Sequence, residues 1–130
     1  MTTDWKPDGY STVSPYLVTE KAQQVIDFLV AVFDAEALRR YDTEDGSIMH
    51  AEVRIADTVV MLGEAGGNWP AQPSHIHVYV EDVDRTYRRA LDAGGTSAQE
   101  PERRGDDPDR RGGVRDPGGN TWWIATQVAG

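Results

Sequence analysis

Two pairs of residues in this chain have the types and spacing to do chemistry. His50-x-Glu52 and His75-x-His77 each set polar, proton-carrying side chains two positions apart. In an extended strand that spacing puts both members of a pair on one face. Three imidazoles and a carboxylate suit a divalent cation such as zinc, iron, nickel or manganese, provided the fold gathers them. Without a metal, His75, His77, His50 and Glu52 are the candidate catalytic acids and bases, Glu52 as a general base if an apolar cavity raises its pKa. The plainer alternatives are that the histidines line a polar pocket or hydrogen-bond within a sheet, and that Glu52 is an exposed carboxylate paired with Arg54 or a neighbour. For His75 alone, a neutral pocket-lining or base role suits the residue better than ligation.

The elements that must position these residues are strands. His75 to Val80 alternates strictly, with His75, His77 and Tyr79 on one face and Ile76, Val78 and Val80 on the other. Asp82 or Asp84 then caps a helix running to about Ala93, closed by Gly94-Gly95. Earlier, residues 1–11 are polar with Pro7 and Gly9 and predict a loose arm, and Thr12 to Val18 reads as a short strand carrying Ser14 and Tyr16 on one face. Thr19 is a candidate N-cap for a helix marked by Ala22, Val25, Ile26, Leu29 and Phe33. Ala37 to Thr43 and Ile48 to Ile55 read as strands joined through Asp45-Gly46, a hairpin dipeptide. In the second of them Met49, Ala51, Val53 and Ile55 share one face, and His50, Glu52 and Arg54 the other. Ala56-Asp57 turns the chain into a strand over Thr58 to Leu62, and residues 66–73 are breaker-rich and read as a linker.

Beyond the second helix, Thr96 to Gln99 and Gly113 to Arg115 read as short strands around a charged loop. Asp116-Pro117-Gly118-Gly119 makes the last turn before a closing strand, Asn120 to Gln127. Trp123 and Ala125 share one face of it, Trp122 and Ile124 the other. The order strand–helix–strand–strand–strand therefore occurs twice, over residues 12–65 and 74–127, within one domain of residues 1–130. Aligning the helix entries sets Ser14 opposite His75, Tyr16 opposite His77 and Ile26 opposite Tyr87. A lone βαβββ unit cannot bury both faces of its sheet, so the two copies need each other. The fold class is α+β.

Composition narrows the function. The net charge is −9, from 13 basic and 22 acidic residues, which argues against nucleic acid as a partner and modestly favours neutral or cationic ligands. The arginines between Arg103 and Arg115 are interleaved with acids and read as a solvated loop. There is no cysteine, hence no disulfide or thiolate chemistry. No apolar run is long enough to span a membrane and the first residues lack signal-peptide character, so no membrane partner and a cytoplasmic location are expected. No P-loop, dinucleotide fingerprint or nucleophile elbow is present.

Several motifs together resemble the vicinal oxygen chelate superfamily, the glyoxalase, bleomycin-resistance and dioxygenase proteins, in its small bacterial two-module form. The carriers are His75-Ile76 with Val80-Glu81-Asp82-Val83-Asp84, Ala90-Leu91-Asp92-Ala93-Gly94-Gly95, and Asp116-Pro117-Gly118-Gly119-Asn120, and the likeness spans roughly residues 12–127. The resemblance implies two βαβββ modules forming a half-barrel, a homodimer able to share sites between chains, and, in metal-dependent members, four ligands facing a concave cavity. Carried over by position, those four are Ser14, Met61, His75 and Trp123. Only His75 among them binds a divalent cation well.

Two functions follow as expectations. The first is metal-independent binding of a small organic molecule, with no cofactor and no metal ligands, in a cavity lined by Ser14, Tyr16, His50, Glu52, Met61, His75, His77, Tyr79 and Trp123. Aromatics with a polar tip suit flat organic ligands, although the same residues also serve as ordinary core packing. Trp69, in the linker, is either a cover for the cavity mouth or a surface aromatic. The second function is a divergent lyase- or isomerase-type enzyme using the His and Glu residues as acid and base, with or without a divalent metal.

Overall fold

The computed structural model describes residues 5–130; of the arm expected over residues 1–11, residues 1–4 lie outside the described part. The first module runs β1 (Tyr16–Thr19), α1 (Ala22–Phe33), β2 (Glu36–Asp42), β3 (Ile48–Ile55) and β4 (Thr58–Glu64). The second repeats the order as β5 (His75–Tyr79), α2 (Val83–Asp92), β6 (Thr96–Glu102), β7 (Asp109–Arg115) and β8 (Thr121–Gln127). Each forms a four-stranded sheet, ordered β1-β4-β3-β2 and β5-β8-β7-β6. The first and last strands of each module pair in parallel, and the remaining neighbours are antiparallel. This is the expected α+β fold of two βαβββ units.

The strands alternate because one face must leave water. Leu17, Val53 and Leu62 of the first sheet and Val114, Trp122 and Ile124 of the second point into a single apolar cluster with Val25, Phe28 and Leu29 of α1 and Tyr87 and Ala90 of α2. Truncating a fully buried member such as Leu29 to Ala would cost roughly 2–5 kcal/mol in lost transfer energy and cavity formation. Trp122 packs in this core, as its parity requires. Gly95 is needed where α2 crosses the second sheet, because a Cβ there would lie 2.4 Å from Val114 Cγ1.

The register shows how closely the modules correspond. Tyr16 pairs with Met61 and Met61 with Glu52, while His77 pairs with Trp123 and Trp123 with Gly113. Tyr16 therefore corresponds to His77, Met61 to Trp123, and Glu52 to Gly113.

Several local expectations need correction. β1 begins at Tyr16, so Ser14 precedes the strand and its hydroxyl lies 3.1 Å from that of Ser11. Thr19 ends β1 and does not cap α1. The helix is entered through Lys21 at φ 56°, and Glu64 at the end of β4 accepts from the backbone N–H of Lys21 (3.0 Å) and Ala22 (3.1 Å). A carboxylate from a distant strand thus supplies the cap, and its charge suits the helix N-terminus. For α2 the cap is Asp82, which accepts from the Arg85 N–H at 3.1 Å. A register shift near the start of β3 turns Met49 out to solvent and Ile48 inward, so Met49 leaves the face it was expected to share with Ala51. The arginine-rich loop is largely strand β7: Arg110 forks onto Asp84 with two 2.9 Å bonds, and Arg111 reaches Asp107 and Asp109.

Asp116 fastens the final turn. Its carboxylate accepts from the backbone N–H of Gly118 (2.8 Å) and Asn120 (3.1 Å), from the Asn120 amide and from Trp122 Nε1 (2.9 Å). The turn packs onto the first module, where a Cβ on Gly118 would fall 2.0 Å from Thr19 Oγ1. Arg89 of α2 adds a bridge by donating to the Ala31 carbonyl near the end of α1. Among the described residues no helix is long and apolar enough to cross a membrane.

Candidate functional site

The inner face of the first sheet carries a line of four hydrogen-bonded side chains. Tyr10, from the segment ahead of β1, donates to Glu52 Oε1 at 2.5 Å; His50 Nε2 lies 2.8 Å from Glu52 Oε2; and the Tyr16 hydroxyl lies 3.2 Å from His50 Nδ1. The expected loose arm is therefore anchored at Tyr10, which supplies one partner of a buried carboxylate. Glu52 is only 5% exposed. Burial pushes its pKa upward, but the hydrogen bonds from His50 and Tyr10 outweigh that and hold it below the ordinary carboxylate range. A raised-pKa general base at Glu52 is thus not what the surroundings produce. Nor does Glu52 pair with Arg54, which instead bonds Glu36 at 2.7 Å. Tyr10 is raised chiefly by its bond to Glu52, and Tyr16 by burial.

Tyr16 connects this line to a cleft of about 700 Å³. Tyr16, Val18, Ile48, Met49 and Trp69 form its mainly apolar wall, with Glu64 at its margin. Trp69 reaches it because the linker is structured: Gly66 and Trp69 exchange backbone hydrogen bonds at 2.8 Å, and Gln72 N–H donates to the Val18 carbonyl. The linker tryptophan expected as a cover or a surface aromatic is 70% exposed and lines this cleft. Gly63 makes room for the phenol, since a Cβ there would lie 3.1 Å from the Tyr16 hydroxyl and 2.8 Å from the Met49 carbonyl oxygen. Sequence reasoning missed Tyr10, Val18, Ile48, Met49, Gly63 and Glu64. The alternation of Tyr16 and Val18 along one strand was the available clue.

The inner face of the second sheet is built differently. Trp123 Nε1 donates to His75 Nδ1 at 3.1 Å, and the two rings are nearly parallel. Arg111 donates to His77 Nε2 at 3.2 Å and to Asp107 and Asp109, and Tyr79 donates to Asp109 at 2.6 Å. Burial, then the neighbouring guanidinium, hold the His77 pKa below its usual value. The bond to Asp109 raises Tyr79. Tyr79 is 64% exposed and His75 is also exposed, so this face is open.

The expected site residues therefore fall into two groups. Tyr16, His50, Glu52 and Met61 lie on the first sheet, and His75, His77, Tyr79 and Trp123 on the second. Ser14 lies just ahead of the first. His50-x-Glu52 and His75-x-His77 share no hydrogen bond. Among the described residues no three His, Cys, Asp or Glu are grouped to hold a metal ion. The inherited positions do not fit one either, because Ser14 is off the strand and the Trp123 indole N–H is directed at the His75 nitrogen.

Comparison with known proteins agrees with this frame. Residues 11–124 match the model of the Glyoxalase/Bleomycin resistance protein/Dioxygenase superfamily. The uncharacterized protein Mb0911c of Mycobacterium bovis is 39% identical over 129 residues, covering 89% of this chain and 83% of that protein. The structure of TioX from Micromonospora sp. ML1 superposes with a TM-score of 0.74 at 25% identity, covering 90% of this chain and 98% of that one. The fosfomycin resistance protein FosX from Listeria monocytogenes gives 0.72 at 16% identity, covering 88% and 91%, and so shares the fold. With its repeated βαβββ frame and a family match over most of its length, the chain belongs to the glyoxalase/bleomycin resistance protein/dioxygenase superfamily.

Proposed function

We propose that this protein binds a small organic molecule, without a metal, in the cleft that Tyr16 and Trp69 border. The carrying observation is the cleft itself: about 700 Å³ of mainly apolar space ends at a phenol hydrogen-bonded to His50, which in turn reaches the buried Glu52 carboxylate. That volume lies within the roughly 300–1,000 Å³ usual for small-molecule sites. The unsuitable donors at the inherited metal positions support metal independence. The open inner face of the second sheet supports a homodimer in which a second copy covers it. The test is a ligand screen by thermal shift on metal-free protein. Hits should lose at least tenfold in affinity on Tyr16→Ala or Trp69→Ala and be indifferent to chelator. Near-unit metal stoichiometry by elemental analysis, or hits that ignore both substitutions, would overturn the reading, and sedimentation would decide the dimer.

One observation favours the second reading, a divergent enzyme. Glu52, His50 and Tyr16 stand in a carboxylate–imidazole–phenol line that ends at the cleft, an arrangement able to move a proton. It predicts turnover of a cleft ligand that falls at least a hundredfold in His50→Ala. Full turnover in His50→Ala, Glu52→Ala, His75→Ala and His77→Ala would remove it.

A further inference from the structure

The hydrogen-bond line fixes more than a shape. Glu52 has both oxygens engaged, one accepting from Tyr10 and the other facing His50 Nε2 at 2.8 Å. An ionised carboxylate has no proton to give, so Nε2 carries the hydrogen of that bond. In a neutral imidazole the other nitrogen, Nδ1, is then bare and must accept. Its partner is the Tyr16 hydroxyl at 3.2 Å, whose single hydrogen is thereby spent inside the protein. Toward the cleft, Tyr16 offers only oxygen lone pairs.

Apart from the Ser47 hydroxyl, which can donate or accept, the rest of the wall has the same polarity. Among the described residues its one charged side chain is Glu64, and no Lys, Arg or His lines it. Each Glu64 oxygen accepts one helix N–H and keeps lone-pair capacity for another donor. The Thr43 hydroxyl is engaged within its own turn, spending its one hydrogen on Asp45 and accepting from the Ser47 N–H. The exposed rings of Tyr16 and Trp69 present faces that attract a cation. An anionic ligand would meet a carboxylate and no positive charge. A ligand carrying N–H donors on a positive centre would meet acceptors and aromatic faces.

Resting on the binding reading above, we infer that the cleft selects molecules joining an apolar ring system to a protonated amine, with the amine directed at Tyr16 and Glu64 and the ring held near Trp69. The acidic net charge of −9 reinforces the approach of such cations over long range.

Three probes of nearly equal size separate the contributions: tryptamine (cationic), 3-methylindole (neutral) and indole-3-acetate (anionic). Each is titrated into full-length protein while the Trp69 indole N–H resonance, assigned with Trp69→Phe, is followed by NMR. Tryptamine should bind at least tenfold more tightly than 3-methylindole, and indole-3-acetate most weakly. Tyr16→Phe, which keeps the ring and removes the oxygen, should erase most of the preference for the amine while leaving 3-methylindole binding in place. Glu64→Gln should do the same in part, and because Glu64 also caps a helix its folding is checked by circular dichroism. Equal binding of all three probes, or a preference unchanged in Tyr16→Phe, would sink the inference and leave the binding reading standing. Failure of every probe to shift Trp69 would sink both. A proton on His50 Nδ1 in the free neutral protein, read from the imidazole nitrogen shifts, would remove the acceptor argument independently.

Discussion

The inner faces of the two sheets stand on the same backbone frame and do different things with it. Tyr16, Glu52 and Met61 of the first correspond in register to His77, Gly113 and Trp123 of the second. Where the first sheet carries a buried carboxylate, the second has a glycine, because the Trp123 ring lies there: a Cβ on Gly113 would meet its Cζ3 at 2.6 Å. Where the first sheet aims a phenol–imidazole line at a cleft, the second ties His77 to Arg111, itself held by Asp107 and Asp109, on an open face. The helix-side residues stay apolar in both modules because they share one core. Duplication fixes the buried face, and the inner face is left free to diverge.

The largest expected effect tests the turns. Asp116→Ala should cost about 3 kcal/mol or more, since it strands buried donors on Asn120 and Trp122 and a half-buried one on Gly118. Asp57→Ala in the exposed first-module turn should stay within about 0.5 kcal/mol. Urea denaturation of both variants measures the contrast, and equal losses would mean that the two turns are equivalent after all.

Gly113→Ala comes next, at about 1–3 kcal/mol of overpacking. Combined with Trp123→Ala the penalty should largely vanish. A double-mutant cycle that comes out additive would break the claim that the indole displaces a side chain at that position.

Glu52 gives a pH signature that Gly113 cannot. Its folded pKa lies below the unfolded value of 4.5. The stabilisation is therefore complete above 4.5 and is lost as the pH falls through the lower folded value. Glu52→Gln should flatten the acid limb of the stability curve over that window. An unchanged limb would show that the carboxylate is not held low.

The smallest effect is on His77. Its NMR titration midpoint should lie below the ordinary 6.5, and Arg111→Gln should move it upward by removing a cation. The accompanying stability is full above 6.5 and declines as the pH falls through the lowered midpoint. A midpoint unmoved in the variant would detach Arg111 from that imidazole.

Much of this frame is legible in the residues themselves. The alternation in β5 and from Ala51 onward in β3, the hairpin at Asp45-Gly46 and a cap at Asp82 or Asp84 are local signals, and the structure uses them, choosing Asp82. The extent of β7 was not legible, because Gly112-Gly113 and a run of charges have low strand propensity and the strand is secured by pairing with β8. Tyr10 was hidden for a different reason. It sits in a Pro- and Gly-bearing segment, and its partner is 42 residues away. The cap from Glu64 is equally nonlocal. Side-chain types nominate His50, Glu52, His75 and His77 and the repeat sets the pairs in separate modules, but the partners that engage them, Tyr10 on Glu52 and Arg111 on His77, are nonlocal.

The parallel pairing of β1 with β4 also orders events in time. β2, β3 and β4 form a meander of short closures, whereas β1 must wait for a strand that begins 42 residues after its own start. Non-local pairings pay their loop entropy before they return contacts, so they form late. The expected folding sequence is meander first and β1 last, and pulsed hydrogen exchange should find the Leu17 and Val18 amides protected after those of Ala51 and Val53. Because Tyr16 arrives with β1, the cleft and its proton line would be the final parts of the module to exist, and a newly made chain would be folded in its centre before it could recognise anything.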